Sequence, residues 1–291
     1  MDYQKGISII IPVFNAEAFI EKCLNSVVNQ TLKELDIICV IDKNSTDNSV
    51  AICQKYAQED NRIRVLTPQK GTGAGYNRNI GIETITKEYT GFVDADDYTD
   101  NDYFEKLYSC AQSYDADIAM AEIKVIDYET NTVGFERRYP YTIEYTIYDK
   151  MSLIQEGVCW DKIYKTDLIH KNNIRFPENV LHEDNMFTLE VLEAANKLIT
   201  VPGIFYHWIR NSGSVCFNND YETKRRDDAN TVMDMVIQHV KNKKYNYATS
   251  KLIFDFMVSH FGVLALQSQE YRIPLAIALN TALKNAKDYY E

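Results

Sequence analysis

Three carboxylates directly follow a short apolar segment near the end of the first third of the chain. Residues 89–93 have the composition of a buried β-strand, and Asp94, Asp96 and Asp97 come immediately after them. Carboxylate oxygens are the ligands that Mg²⁺ and Mn²⁺ prefer, especially where the cation also carries a diphosphate. The Asp-x-Asp spacing recurs twice further along, but without a strand-like segment before it. The sequence therefore predicts a metal–diphosphate site at the end of this strand.

The segments before these acids alternate between strand-like and helix-like patterns. Apolar runs at 7–13, 37–41 and 62–66 are separated by segments with helical periodicity. This alternation predicts parallel β-α-β units, whose ligands bind outside the carboxyl ends of the strands. Asp42 follows the second run, so we expect it on the same edge as the acids at 94–97. A glycine-rich segment at 71–75 lacks the P-loop and dinucleotide spacings and is interpreted as a loop bordering the cleft.

Beyond about residue 117 the pattern changes and the chain becomes helical towards its end. We expect an α/β domain over 1–216 and a helical region over 217–291, with helices near 222–241, 247–267 and 273–287. An apolar stripe in this region could be a packing surface, an oligomer interface or a contact with a membrane surface. Its residues are Ile253, Phe254, Met257, Phe261 and Leu264.

Composition narrows the class of protein. The chain has 291 residues, 45% of them hydrophobic, which is enough for a sizeable core. A net charge of −11 argues against a nucleic-acid partner and against simple electrostatic adhesion to anionic lipid. The six cysteines are widely spaced, as reduced core thiols would be, and no apolar segment is long enough to span a bilayer. We expect a cytoplasmic protein, which could also work at the inner face of the cell membrane.

Several motifs in order along the chain resemble family 2 glycosyltransferases. They are Ile9-Ile10-Ile11-Pro12-Val13-Phe14-Asn15, Val40-Ile41-Asp42-Lys43-Asn44-Ser45, Asn77-Arg78-Asn79-Ile80-Gly81, Phe92-Val93-Asp94-Ala95-Asp96-Asp97, Cys159-Trp160-Asp161-Lys162, His182-Glu183-Asp184-Asn185 and Tyr206-His207-Trp208-Ile209-Arg210. The later motifs resemble the subgroup that builds bacterial capsule, exopolysaccharide or glycoprotein sugars. The resemblance covers about residues 6–216 and not the C-terminal helices.

The resemblance implies a fold and a reaction. The family has the GT-A fold, a Rossmann-like, mainly parallel sheet flanked by helices, and it uses nucleotide-diphosphate sugars with inversion. We therefore expect transfer of a hexose, from a uridine-based donor, to a hydroxyl of a glycan acceptor that could be linked to lipid or protein. Mn²⁺ or Mg²⁺ is the implied cofactor.

On the donor side the resemblance implies roles for five residues. Pro12, Phe14 and Asn15 would form part of the nucleotide wall, and Asp42 would accept a hydrogen bond from uracil. The family's usual Asp-Asp-Gly-Ser turn is altered at Asp42, which leaves the identity of the base open. Arg78 would hold either Asp42 or the diphosphate through its two-pronged guanidinium.

At the reacting centre the resemblance implies that Asp94 contacts ribose and that Asp96 binds the metal. Asp97 would add a direct or an indirect contact to the metal. Asp184 would be the general base that takes the proton of the acceptor hydroxyl. Glu183 could orient Asp184 or simply cap the helix that follows.

Further candidates come from the later motifs. Trp160 could stack on a sugar ring or pack in the core, and Lys162 and Arg210 are candidate partners of the diphosphate. His207 could be a further metal ligand, although a hydrogen-bonded core histidine is the favoured interpretation.

Two other functions remain open from the sequence. A sugar-phosphate nucleotidyltransferase also places acids on a nucleotide-binding sheet, but it would need a glycine-rich loop directly after the first strand. A non-catalytic subunit that binds glycan or nucleotide sugar would keep the fold without turnover, although the acids at 94, 96 and 184 argue against it.

Overall fold

The computed structural model describes residues 2–145, 157–214, 218–243 and Ile253. Its strands are β1 (Gln4–Val13), β2 (Leu35–Ile41), β3 (Ile63–Leu66), β4 (Lys87–Phe92), β5 (Tyr98–Thr99), β6 (Ile118–Asp127), β7 (Val133–Arg137), β8 (Glu144–Tyr145), β9 (Lys162–Lys165) and β10 (Leu198–Arg210). Its helices are α1 (Ile20–Val28), α2 (Ser49–Glu59), α3 (Ala74–Ile82), α4 (Tyr103–Tyr114), α5 (Thr166–Lys171), α6 (Glu183–Ala194) and α7 (Glu222–Asn242).

Within these residues the ten strands form one mixed sheet, with eight of them in the order β3-β2-β1-β4-β9-β6-β10-β5, β7 paired with β6 and β8 paired with β10. The first four strands are parallel, and β6 and β10 form a second, longer parallel pair. β9 joins the two halves by pairing antiparallel with both β4 and β6. The predicted α/β fold with a mainly parallel ladder is therefore confirmed.

The central strands are apolar because helices cover both of their faces. Every residue of β2 is buried, and Ile9, Ile10 and Ile11 of β1 are fully enclosed. Burial of each such side chain contributes roughly 1.5–3 kcal/mol. The helix α3 packs especially close to β1, because Gly81 faces Ile10 where an added Cβ would lie 2.5 Å from that side chain. This close contact fixes the helix that carries Arg78 against the sheet.

The C-terminal region contributes α7, which agrees with the helix predicted near 222–241. The helices expected near 247–267 and 273–287 lie outside the described residues. From the predicted apolar stripe the structure describes Ile253, which is 1% exposed and belongs to the core. A search of the described residues finds no helix that combines the length and the apolar character needed to cross a bilayer.

Candidate active site at the carboxyl edge of the sheet

The carboxyl ends of β2, β1 and β4 lie side by side, because β1 pairs in parallel with both neighbours. Asp42 follows β2 directly, and its backbone N–H donates to the carbonyl of Val13 at the end of β1. Asp94 comes two residues after the end of β4, on the other side of β1. The two acidic motifs, 52 residues apart in sequence, thus share one edge of the sheet.

Asp42 is buried and held by a ring of hydrogen-bond donors. The backbone N–H of Asn44 and that of Gly73 donate to it at 2.9 and 2.6 Å, and the Thr72 hydroxyl contacts both of its oxygens. Asn77 adds a longer contact of 3.2 Å. Burial raises the pKa of the Asp42 carboxyl, but these donors outweigh it and leave the pKa below its ordinary value. Asp42 is therefore a fixed anion that fastens the glycine-rich loop to the sheet.

The residues after β1 present an aromatic side chain beside Asp42. Pro12 is half-buried in β1, whereas the Phe14 side chain is 47% exposed. Asn15 has a φ of +45° and accepts a hydrogen bond from the Thr46 backbone at 2.9 Å. This turn locks the segment after β1 to the segment after β2 and leaves the Phe14 ring open to a ligand.

Arg78 is a buried bridge between two acidic segments. Its guanidinium donates to Asp94 at 2.6 Å and to Glu183, rather than to Asp42 as one of the predicted alternatives required. Burial lowers the pKa of Arg78, but the surrounding acids, Asp94 and Glu183 among them, outweigh it and raise the pKa well above its usual range. Arg78 is therefore a permanent cation that ties the end of β4 to the start of α6.

The Asp97 side chain points into the protein, where it accepts hydrogen bonds from β10. Its two oxygens accept from the Tyr206 hydroxyl at 2.8 Å and from the Ile209 N–H at 2.7 Å, and the side chain is buried. Burial, with the charges of Asp96 and Asp94, raises the pKa of Asp97 well above its usual range. Of the two predicted alternatives, this geometry favours an indirect contact of Asp97 with the metal, because both oxygens already hold the acidic loop to β10.

Asp96 is the acid of this loop whose carboxylate has no close side-chain donor among the described residues. It is half-buried, and its closest side-chain donor is Asn211, at 3.5 Å. Burial and the charge of Asp94 raise the pKa of Asp96 to about 6. A cation beside these carboxylates would relieve that repulsion, and hard oxygen donors suit Mg²⁺ or Mn²⁺. Among the described residues no three His, Cys, Asp or Glu side chains form a group that could hold a metal ion by itself.

Asp184 lies in the first turn of α6, directly after the buried Glu183. The side chain is half-buried and its carboxylate accepts a long contact of 3.4 Å from Asn185. Burial raises the pKa of Asp184 to about 7, with the charges of Glu183 and Asp94 adding to the rise and Arg78 opposing it. A carboxylate with a pKa near neutrality can accept and release a proton at physiological pH.

Two predicted substrate contacts are corrected by burial. The Trp160 side chain is 7% exposed and stacks on Tyr206 with ring centroids 4.3 Å apart, so it packs rather than forming an open platform. Lys162 is 1% exposed and donates to Asp161 and to the Val158 carbonyl. Lys162 cannot reach a diphosphate from this position, because its ammonium group is buried and already paired with Asp161.

The last candidates lie along β10. Arg210 is exposed at the end of this strand and remains a candidate partner of the diphosphate. His207 stacks on Tyr98 and hydrogen-bonds Asp100 at 2.7 Å, as the favoured interpretation of a core histidine requires.

Sequence reasoning missed the residues that support the acids. The Tyr206 hydroxyl bridges Asp97 and the backbone N–H of Asp94, at 2.8 and 3.0 Å, and so fixes the acidic loop. Glu183 was considered only as an orienting or capping residue, whereas it pairs with Arg78. Tyr206 belongs to the motif Tyr206-His207-Trp208-Ile209-Arg210 of the family resemblance, and this motif was the sequence signal that could have identified it.

Comparison with known proteins agrees with this architecture. The family model of glycosyl transferase family 2 matches residues 8–174. The crystal structure of Staphylococcus aureus TarS residues 1–349 with UDP-GlcNAc superposes with a TM-score of 0.73 at 23% identity, covering 97% of this chain and 82% of that one. At this level of identity the superposition shows a shared fold.

Two curated relatives are similar in sequence. The cholesterol galactosyltransferase of Borreliella burgdorferi is 30% identical over 78% of this chain and 66% of its own length. The poly(ribitol-phosphate) beta-glucosyltransferase of Bacillus spizizenii is 30% identical over 71% of this chain and 33% of its own length. The chain thus spans between about a third and two thirds of the length of these relatives. With the acids, the fold and the family match in agreement, this chain belongs to glycosyltransferase family 2.

Proposed function

We propose that the chain is a metal-dependent, inverting glycosyltransferase that moves a hexose from a UDP-sugar to a hydroxyl of a glycan acceptor. The observation that carries the proposal is the double ion pair of Arg78. From helix α3 it pairs with Asp94 after β4 and with Glu183 at the start of α6, so these two segments lie side by side. The segment after β4 would bind the leaving diphosphate, and the start of α6 would contact the incoming hydroxyl. A single buried cation thus links the two halves of a displacement reaction.

Asp184 is the general base in this proposal. The acceptor hydroxyl gives its proton to the Asp184 carboxylate while its oxygen forms a bond to C1 of the sugar. The bond between C1 and the diphosphate oxygen breaks at the same time, and the nucleoside diphosphate leaves with the electron pair. The pKa of about 7 makes this carboxylate basic enough to take the proton. General-base catalysis of this kind supplies about 10²–10⁴-fold in rate.

The acids at the end of β4 suit the charge of the leaving group. Asp96 would hold a divalent cation, and Asp97 would support it indirectly by fixing the loop to β10. When bound, Mg²⁺ or Mn²⁺ supplies Lewis-acid neutralisation of the diphosphate. Asp94 would contact ribose through the oxygen that Arg78 does not occupy, and the exposed Arg210 would meet the outer phosphate.

The nucleotide would lie along the ends of β1 and β2. Phe14 offers an exposed ring for the base, with Pro12 and Asn15 shaping the wall behind it. The TarS complex holds UDP-GlcNAc on the same fold, which supports a uridine donor here. Asp42 would then accept from the base while its other contacts keep the glycine-rich loop in place.

The names of the relatives and the cysteines indicate only the class of acceptor and the cellular compartment. The relatives are named for two different acceptors, a sterol and a poly(ribitol phosphate), so we propose a hydroxyl acceptor of the cell envelope without naming it. The described cysteines are free thiols, and most of them are buried. Reduced thiols fit the cytoplasm, where the inner face of the membrane would offer lipid-linked acceptors.

Replacement of the base tests the proposal. We expect Asp184→Asn to lower the transfer rate by about 10²–10⁴-fold, because the amide cannot take a proton. UDP affinity, measured by titration calorimetry with Mn²⁺, should stay within about twofold, since the variant leaves the nucleotide wall intact. Glu190→Gln, on the same helix, serves as the matched control and should retain transfer. Equal rates in Asp184→Asn and the parent protein would refute the role of Asp184.

A donor screen identifies the sugar. Release of nucleoside diphosphate is followed with UDP-, GDP- and dTDP-sugars, each with Mn²⁺, with Mg²⁺ and with chelator. We expect turnover with one or two UDP-sugars and its loss in chelator. Tight binding of a nucleotide sugar without turnover under every condition, even with glycan acceptors present, would instead favour a non-catalytic binding subunit.

A further inference from the structure

The base helix α6 is held at its start by a residue of the C-terminal helix α7. One oxygen of Asp228 accepts a hydrogen bond from the backbone N–H of Leu181 at 2.8 Å. Leu181 lies three residues before Asp184. The family model ends at residue 174, and the motifs of the resemblance end near 216, so α7 lies outside both. The contact therefore joins a helix without assigned function to the segment directly before the predicted base.

The segment that Asp228 holds has a demanding backbone. His182, the residue before α6, has a φ of +65°, in the left-handed region that non-glycine residues seldom adopt. Its carbonyl accepts from the backbone and the side chain of Asn185, at 3.2 and 3.1 Å. Such a conformation persists only where surrounding contacts over-determine it. The N–H of Leu181, directly before this turn, is fixed from outside by Asp228.

Further contacts join α6 and α7. At the far end of α6, Glu193 accepts from His239 at 2.9 Å and from Lys243 at 3.0 Å. Between the two ends, Val232, Met233 and Val236 of α7 are buried. The Asp228 side chain itself is 14% exposed and pairs with Lys224 at 2.6 Å. Thus α7 contacts α6 near both of its ends, and Asp228 contacts the turn that precedes the proposed base.

We propose that Asp228 is a positioning residue for the transfer reaction: it holds the 181–182 turn so that Asp184 faces the acceptor hydroxyl. This inference rests on the proposed function, because it requires Asp184 to be the base. Asp228 does not touch the substrate in this scheme. Without its acceptor oxygen the left-handed turn at His182 can relax, and a displacement of Asp184 by about 1 Å can cost on the order of 10²-fold in rate.

The proposal predicts a split between catalysis and donor binding. In Asp228→Ala the acceptor is lost while alanine keeps the helix, so we expect kcat to fall by roughly ten- to hundredfold. The affinity for UDP with Mn²⁺ should change by less than about twofold, because the nucleotide wall lies at the ends of β1 and β2. Asp228→Leu keeps the branched shape of aspartate without an acceptor and should behave alike, which covers the case that the alanine variant does not fold.

Two further variants separate positioning from general stability. Asp228→Asn keeps an acceptor oxygen for the Leu181 N–H and should recover at least about a third of parental kcat, since the hydrogen bond can re-form. Asp227→Ala removes an exposed neighbouring acid on α7 and should have parental kcat. If Asp228→Ala and Asp228→Leu keep parental kcat, or if kcat and UDP affinity fall together with the melting temperature, the proposal is overturned.

The same assay distinguishes this inference from the proposed function. Asp184→Asn is measured alongside the Asp228 variants. If Asp184→Asn is inactive and Asp228→Leu is fully active, only the positioning role fails. If Asp184→Asn is itself active, the assignment of the base fails and the positioning role fails with it.

Discussion

Asp42 and the pair Asp96 and Asp184 have opposite environments at the candidate active edge of the sheet. On the β2 side, Asp42 receives donors from two backbone N–H groups, a hydroxyl and an amide, and its pKa is lowered. On the β4 and α6 side, Asp96 and Asp184 each have a side-chain donor no closer than 3.4 Å. Their pKa values are raised, to about 6 and about 7.

The difference in pKa suggests different roles for Asp42 and for Asp96 and Asp184. Because its donors outweigh its burial and lower its pKa, Asp42 stays anionic at physiological pH, which suits recognition of a base or anchoring of a loop. Buried carboxylates that lack donors and face other anions bind a proton or a cation strongly, because either one relieves the repulsion. In the proposed function, this environment suits Asp96 for a metal and Asp184 for a proton.

The largest effect within this comparison is expected at Asp96. Asp96→Ala removes the carboxylate with uncommitted oxygen, so metal-stimulated donor hydrolysis and transfer should fall by at least about 100-fold. Titration of the metal in the presence of UDP should show weaker binding than in the parent protein.

Asp102→Ala is the matched control for this variant. Asp102 is an exposed acid that pairs with Lys106 just beyond the acidic loop, and its loss should leave metal binding unchanged. Parental activity and parental metal affinity in Asp96→Ala would remove Asp96 from the metal site.

A smaller effect is expected at Asp42. In Asp42→Asn one oxygen becomes an NH₂ group that must face donors such as the Gly73 N–H or the Thr72 hydroxyl. Loss of a hydrogen bond to a charged group costs about 1.5–3 kcal/mol, so UDP affinity should weaken roughly tenfold or more. Titration calorimetry measures this change directly.

Asp60→Asn provides the comparison for Asp42. Asp60 also has a lowered pKa, through its hydrogen bonds and ion pair with Arg62, but it lies before β3 at the opposite edge of the sheet. We expect this variant to be less stable to heat and to bind UDP as the parent protein does. Unchanged UDP affinity in Asp42→Asn would leave Asp42 with a purely structural role.

The contrast between the two groups also shows what sequence could predict. Strand–helix alternation placed Asp42 and the acids at 94–97 on one edge, because the carboxyl ends of parallel strands must meet there. The helical pattern of the C-terminal region predicted a helix near 222–241, and α7 spans Glu222–Asn242. These inferences depend on local periodicity and on topology, both of which can be read from a single chain.

Side-chain direction was the part that sequence could not supply. Lys162 and Trp160 belong to a motif of the family, yet Lys162 turns inward to Asp161 and Trp160 stacks on Tyr206. Asp97 directly follows Asp96, but only Asp97 is captured by Tyr206 of the distant strand β10. The directions of Trp160 and Asp97 depend on Tyr206, which is distant in sequence, and that of Lys162 depends on burial. Local spacing encodes neither.

The smallest effect is expected at Glu183, where the comparison concerns the pKa of Asp184, the proposed base. Because Asp184 must be unprotonated to act, kcat/KM of the parent protein should rise with pH and level off above about 7. The Glu183 charge raises the pKa of Asp184, whereas Arg78 lowers it. Glu183→Gln removes the first contribution and keeps the second, so the rise should move to lower pH.

The measurement is kcat/KM against pH for Glu183→Gln and for Glu190→Gln, a substitution further along α6. The first profile should shift towards acid and the second should coincide with that of the parent protein. Loss of the buried partner of Arg78 will also lower stability, by about 3–5 kcal/mol for a fully broken pair, although Asp94 remains to pair with it. A pH profile of Glu183→Gln that stays in place, in folded protein, would show that the neighbouring charge does not set the pKa of the base.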